Sequence, residues 1–307
     1  MRQRPLGRAG GFLIVALIAA SCSSGGPAAT VDGFDIAPER IEQLHPENVD
    51  VDDEIQASSL FLIILHHLVT READAQFDLV TTEAEVDEAL AARAGTAGEL
   101  LDQRLADRGV TRARVLLEAE LDVLRTELQR EFIDRGGPGV DLDAAYRTFL
   151  SVNSRACVEL LAPASDAAVA EVQRVTDGVI TLDSAREQLG ELVETIDLGC
   201  DNPVQLPPPV QSVALDGEVG VAYLSTFSDG TLYVAAVTSR DAPGMDEVIE
   251  DVKQIAADTQ GLTLFNEWAF ELLRTADVTV DADLWSWEPR EGTAGVPTVV
   301  PRSGAPG

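Results

Sequence analysis

The chain is poor in positive charge. Lysine occurs once, as Lys253, and arginine supplies the remainder of 22 basic residues against 53 acidic ones, a net charge of −31. A surface of that sign repels phosphate backbones, which excludes nucleic acid as a partner. Histidine is also scarce: His45, His66 and His67 are the complete set. Chemistry anywhere after residue 67 must therefore do without imidazole. Cysteine occurs three times, at Cys22, Cys157 and Cys200. No stretch approaches the roughly 20 apolar residues that span a bilayer. The patterns G-x-S-x-G, the Walker loop and C-x-x-C are missing too, which removes the commonest signatures of hydrolases, nucleotide binders and thiol redox sites.

What is present begins with a leader. Arg2, Arg4 and Arg8 precede the apolar run FLIVALIAA at 12–20, and small residues lead to Ser21-Cys22. A positive segment, a short apolar one and a small-residue cut site make a secretory signal peptide, expected over residues 1–21. Ala19-Ala20-Ser21 before Cys22, with Ser-Ser-Gly-Gly after it, resembles the bacterial lipobox, although Ala19 stands where leucine is usual. Cys22 is thus the expected lipidation site and 22–29 a flexible tether. The protein is expected outside the cytoplasm, lipid-anchored to the outer face of the cell membrane, or secreted if Cys22 is not acylated. Residues 1–21 contain three arginines and no acid, so their removal takes the net charge to −34. Cys157 and Cys200 form an even pair in an oxidising compartment, which reads as a disulfide. Closing that loop contributes about 4 kcal/mol by chain entropy, with Cα atoms expected ~4.4–6.8 Å apart.

The rest divides into blocks of α+β character. TVDGFDI at 30–36 reads as extended chain around a turn at Asp32-Gly33, and Pro38 opens a short helix. Residues 52–77 make an apolar helix with acids at its start. Thr82 and Glu85 form a capping box, and Thr96 and Glu99 repeat it. The longest helix is expected at about 111–134, with Leu117, Leu121, Leu124 and Leu128 on one stripe. GGPG at 136–139 ends it as a linker. RACVELL at 155–161 reads as a strand before the helix SDAAVAEVQRV, a second helix follows at about 182–194, and FSDGTLYVAAVTSR at 227–240 closes with a strand. Two helical runs follow, one with Val248, Val252 and Ile255 and one with Leu264, Trp268 and Leu272. Residues 290–307 are rich in Gly, Pro, Thr and Ser and are expected to be disordered.

This succession resembles the SurA/PrsA family of extracytoplasmic foldases. Residues 30–135 look like its N-terminal chaperone domain, and 241–289 resemble the segment that returns to it. Residues 150–240 are similar to the parvulin-type prolyl isomerase module, with DLGC at 197–200 in place of "GGDLG" and LPPPVQSVALDGEVG at 206–220 in place of the segment ending "L-x-P-G-E-V". Cysteines at Cys157 and Cys200 are similar to those of actinobacterial lipoproteins of this type. The resemblance implies a helical chaperone domain built from both ends of the chain, with a parvulin-like βα domain inserted.

The departures matter as much. Parvulins carry a histidine on the first strand and another on the last, and here those positions fall on Leu160 and on Leu232 or Tyr233. The Met and Phe that line a parvulin proline pocket are also missing, with Pro207, Pro208 and Pro209 nearby instead. The barrier to amide rotation is about 20 kcal/mol, so the resemblance without its histidines implies a module with no isomerase activity. No metal or cofactor is expected. Adjacent His66 and His67 point about 100° apart on a helix and cannot chelate together. DVDDE at 50–54 lacks calcium-loop spacing and reads as solvated acids at a helix start. Trp285 and Trp287 read as packing residues. Three functions follow: a holdase for unfolded or nascent secreted polypeptides, an active prolyl isomerase, or a lipoprotein scaffold for one partner. For the holdase, Leu60, Phe61, Ile64 and Leu68 are the candidate client contacts.

Overall fold

A computed structural model of the chain describes residues 26–47, 51–95, 105, 110–176, 180–289 and 295–302. Its α+β architecture follows from where the chain ends meet. Strands β1 (Ala29–Val31) and β2 (Phe34–Ile36) form a hairpin whose turn residues, Asp32 and Gly33, both take positive φ, at 47° and 83°. That is the geometry a two-residue turn needs to follow strand twist. The free edge of β1 is filled by β8 (Val278–Val280), antiparallel, with Val31 opposite Val278. Asp32 fastens the join. Its backbone N–H donates to the Asp277 carbonyl at 2.9 Å, its Oδ1 accepts from the Asp277 N–H at 2.8 Å, and Arg71 lies 2.7 Å from its Oδ2.

Three long helices build the body under this sheet. Helix α1 (Pro38–Glu42) is a short lead-in. Helix α2 (Asp53–Phe77) starts where the Asp52 carboxylate accepts the Ile55 N–H at 2.8 Å, with Asp53 and Glu54 favourably placed at the positive end of the helix dipole. Leu60, Ile63, Ile64 and Leu68 are fully buried along it, each worth about 1.5–3 kcal/mol relative to exposure. Helix α3 (Glu83–Ala94) opens on the expected capping box of Thr82 and Glu85. The second expected box, Thr96 with Glu99, lies outside the described residues. Helix α4 (Arg112–Arg135) buries Leu124 and Leu128, with Leu117 and Leu121 partly covered.

The sequence reading changes here in two places. The segment after GGPG, left unassigned by the sequence, is a helix: α5 (Leu142–Asn153) is capped by Asp141 and buries Ala145, Phe149 and Leu150. Its apolar residues at helical spacing pack on Val252 and Ala256, so it belongs to the body. The longest helix is not α4, because the two C-terminal runs join into one helix of 27 residues, Ile249–Thr275. Gly261 sits inside it without breaking it, and a Cβ there would come within 2.8 Å of Gln129 Cβ. The glycine is what lets this helix cross α4 closely. Phe77, Phe132, Phe265 and Trp268 meet at the same crossing with ring centroids 5.5–6.1 Å apart.

The inserted domain is a five-stranded antiparallel sheet. Strand β3 (Arg155–Pro163) lies between the edge strand β5 (Val193–Asp201) and the central strand β7 (Leu232–Asp241); β6 (Val221–Thr226) and the short β4 (Ile180–Thr181) complete the order β4-β6-β7-β3-β5. Helices α6 (Asp166–Val175) and α7 (Leu182–Leu189) cover the face bearing Leu161, Val234 and Ala236. Helix α7 stops at Gly190, short of the expected 194, because Val193 begins β5. Helix α8 (Pro208–Asp216) covers the other face, bearing Val158, Leu160, Ala235 and Val237. Cys157 and Cys200 are direct register partners on β3 and β5 and form the disulfide, with Cα atoms 3.8 Å apart. That is closer than the expected span, and closer than the roughly 4.5–5.5 Å between paired antiparallel residues.

The tail differs from expectation as well. Residues 297–301 are not disordered: β10 (Pro297–Pro301) pairs antiparallel with β9 (Trp285–Pro289), and Val296 and Val299 are buried. Its two prolines flank a β-branched TVV core, which an apolar groove on the body holds extended. With α9 denoting Ile249–Thr275, this hairpin lies against α2 and α9. No described helix is long and apolar enough to cross a membrane. Residues 1–21 and Cys22, with the expected leader and lipidation site, lie outside the described residues.

Candidate functional site

Two places merit a functional reading, and the sheet face under α8 is the first. Leu160 is buried at 3% exposure, directly opposite Ala235 of β7 and Ile196 of β5. Side chains alternate along a strand, so Tyr233, two residues before Ala235, shares the face of Leu160. Leu232 belongs with Val234 and Ala236 on the other face. The structure therefore brings Leu160 and Tyr233 together and sends Leu232 away. Phe227 meets the Tyr233 ring edge-on at 4.5 Å, and the Tyr223 hydroxyl accepts the Glu218 N–H at 2.9 Å. Pro208 begins α8, where its missing N–H costs nothing, and buried Leu206 precedes it. The face offers hydroxyls and apolar surface. It holds no imidazole and no pair of titratable groups able to exchange a proton with a substrate.

The three histidines all serve the body. His66 Nε2 lies 2.7 Å from Glu120 Oε2, and Thr81 donates to Glu120 Oε1 at 3.1 Å, which links α2, α4 and the approach to α3. The His66 hydrogen bond holds the Glu120 carboxyl below the usual range. His67 stacks on Phe34 at 4.4 Å, docking the N-terminal hairpin on α2. His45 has a buried Nε2 without a partner. Burial pushes the His45 and His67 imidazoles down, and nearby guanidinium groups add to the shift. The adjacent pair thus takes separate partners. Among the described residues no three His, Cys, Asp or Glu side chains gather as a metal site, and Asp52 of the DVDDE segment is a helix cap.

The second place is a groove of about 600 Å³ between the first turns of α2, Phe270 of α9 and strand β10. Ala57 and Phe61 form one wall, Val296 to Pro301 the opposite one, and Glu54 is its one charged lining residue. Phe270 is 39% exposed, and the Phe61 ring lies 6.3 Å from Trp287. This corrects the candidate client contacts. Leu60, Ile64 and Leu68 point into the body core at 1% exposure or less and present nothing to a client. Phe61 alone of the four reaches the groove. Phe270 and β10 went unnoticed in the sequence, although PTVVP carried a strand signal within a composition that reads as disordered.

A cavity of about 370 Å³ lies further along α2, toward its C-terminal end, lined by Asp32, Arg71, Trp268 and Glu271 among others. Its charges are already engaged: Arg71 pairs with both Asp32 and Glu72. It reads as a seam of the body.

Comparison with known proteins returned no matching family profile and no sequence match among curated proteins. Solved structures do match. The foldase PrsA of Lactococcus lactis is similar over 84% of this chain and 96% of its own, at 16% identity and a TM-score of 0.40. The peptidylprolyl isomerase PrsA of Bacillus cereus is similar over 75% and 86%, at 13% identity and a TM-score of 0.43. A SurA-like chaperone structure from Campylobacter jejuni is similar over 84% and 100%, at 13% identity and a TM-score of 0.33.

Proposed function

We propose that this chain is an extracytoplasmic folding helper that holds unfolded secreted polypeptides in the groove between α2, α9 and β10, and that its sheet domain does not accelerate proline isomerisation. One observation carries the reading: an exposed, largely apolar groove sits on the body; beside it, the resemblance puts Leu160 and Tyr233 at the positions of the parvulin histidines. A holdase needs apolar surface that tolerates many sequences, and Phe61, Phe270 and the β10 valines supply it without a demanding pattern of polar contacts. An isomerase must favour the twisted amide over a barrier of about 20 kcal/mol. Leu160 has neither donor nor acceptor for that work. In this reading Cys22 carries a lipid anchor that keeps the groove at the outer face of the membrane, and Cys22→Ser releases the protein into the soluble fraction.

Two assays on one preparation test the proposal. A short proline peptide has no tertiary structure to protect, so its cis-to-trans rate reports catalysis alone; micromolar protein leaves that rate unchanged. The same protein keeps a chemically denatured client soluble, and Phe270→Ser weakens this. A several-fold rate increase on the peptide, lost in Tyr233→Phe, would instead identify an active isomerase. Silence in both assays, with one stoichiometric partner recovered from envelope extracts, would favour a scaffold.

A further inference from the structure

The groove is apolar along its walls and acidic around its mouth. Glu54 lines it, and Asp52 and Asp53 precede Glu54 at the exposed start of α2. On α9, Glu267 sits one turn before Phe270, and Glu288 of β9 is the register partner of Thr298. The cations on the adjoining turns are Arg274, bonded to Glu271 at 3.2 Å, and Arg302 just past β10. Among the described residues, Glu54 is thus the charged group lining the opening, with Asp52, Asp53, Glu267 and Glu288 at adjoining positions. The whole chain adds a field of the same sign, at a net charge of −31.

We propose that the groove selects cationic clients: unfolded segments in which apolar or aromatic residues alternate with lysine or arginine. This rests on the holdase reading of the same groove and adds a substrate class to it. The apolar walls carry no polar pattern that would single out one apolar sequence from another. Charge discriminates more, because like charges brought to the mouth are repelled and opposite charges are concentrated there before contact. Groups at the mouth are exposed, so the preference weakens as salt shortens the Debye length to about 3 Å at 1 M. A lysine or arginine stem also packs along Phe61 or Phe270 while its head stays among the carboxylates.

Three labelled peptides that share one apolar sequence test this, with the variable positions filled by lysine, by serine or by glutamate. Binding to the mature full-length chain is read by fluorescence anisotropy at low salt and at 0.5 M salt. The lysine peptide is expected to bind about ten-fold more tightly than the glutamate peptide at low salt, with the serine peptide between them, and the gap is expected to close at high salt. Glu54→Gln narrows the gap about three-fold. Equal affinities for all three peptides, or a lysine preference that survives high salt and Glu54→Gln unchanged, would overturn the charge selection while leaving the holdase reading in place. If no peptide binds, and a denatured client still aggregates, both fall together.

Discussion

The helical body and the sheet domain handle apolar surface in opposite ways. In the sheet domain both faces of the inner strands are covered: α8 lies over one side of β3 and β7, α6 and α7 over the other, and a cross-strand disulfide ties β3 to the more exposed edge strand β5. The positions that could have been chemical hold a buried leucine and a tyrosine packed on Phe227. The body is built from more distant pieces and leaves a groove open beside Phe270. A domain sealed on both faces is suited to be a spacer or a rigid handle, and an unsealed one to touch other chains. The contrast is consistent with the proposal that client contact belongs to the body.

Changes confined to one region break or sharpen that contrast. Replacing Cys157 and Cys200 by serine removes a loop closure over 43 residues, worth about 4 kcal/mol to the sheet domain. Calorimetry is expected to show a large fall in that domain's melting temperature while client holding persists. Loss of holding in step with the sheet domain would mean the regions are not separable. Ile64→Ala acts on the other side, since Ile64 is fully buried in the body. A loss of about 3 kcal/mol is expected from the transfer and cavity terms together. Urea unfolding followed by tryptophan fluorescence reads this cleanly, because Trp268, Trp285 and Trp287 all lie in the body.

Gly261→Val tests the helix crossing. Its side chain would collide with Gln129 near the α4 backbone, an overpacking cost of about 1–3 kcal/mol, again confined to the body and visible in the same urea curves. The smallest effect is expected from acidity. Burial first, and then Arg71 and Arg40 beside His67 and Arg114 beside His45, hold both imidazoles below the ordinary 6.5, with Asp32 offsetting part of the shift at His67. The folded chain then binds these protons less tightly than the unfolded chain. Their contribution to stability is full above about pH 6.5 and is lost progressively as pH falls below it toward the depressed values. The urea midpoint of the body is expected to drop from pH 7.5 to 5.5, and His67→Phe is expected to flatten the slope. The lowered carboxyls of Asp32 and Glu120 come into play only below the ordinary carboxylate range, so they do not confuse that window. The sheet domain has no histidine and should not respond.

Much of the fold was legible because local signals agreed with the global result. Asp52, Thr82 and Thr111 cap helices that the apolar periodicity had already outlined. Asp32-Gly33 specified the hairpin turn, and the resemblance to the parvulin module suggested the sheet domain, of which only the first and last strands and two helices were read from the residues. The misses have physical causes. Leu142, Ala145, Phe149 and Leu150 carried a helical stripe, but GGPG ahead of it read as the start of a loop. The two C-terminal runs were expected as separate helices, yet they join through Gly261, whose close packing on Gln129 outweighs its propensity cost of about 1 kcal/mol. PTVVP looked disordered by composition because its stabilisation comes from β9 and α2, far away in the chain or invisible to a window of a few residues. The groove was the least legible part. Buried and exposed phases of one helix look alike in sequence, so Leu60 and Phe61 could not be told apart until α9 and β10 were placed against α2.

The pairing of β1 with β8 has a consequence for the order of assembly. Asp32 and Asp277 exchange hydrogen bonds across 245 positions of sequence, so a chain emerging N-terminus first offers its opening hairpin an empty edge for nearly its whole synthesis. The sheet domain, contiguous from Arg155 to Asp241, has all its partners much earlier. Once it folds, it shortens the effective loop between β1 and β8, and the entropy of closing that loop grows only slowly with length. The protein is thus expected to mature inside-out, its middle first and its two ends last, with the body completed only when Val278 arrives.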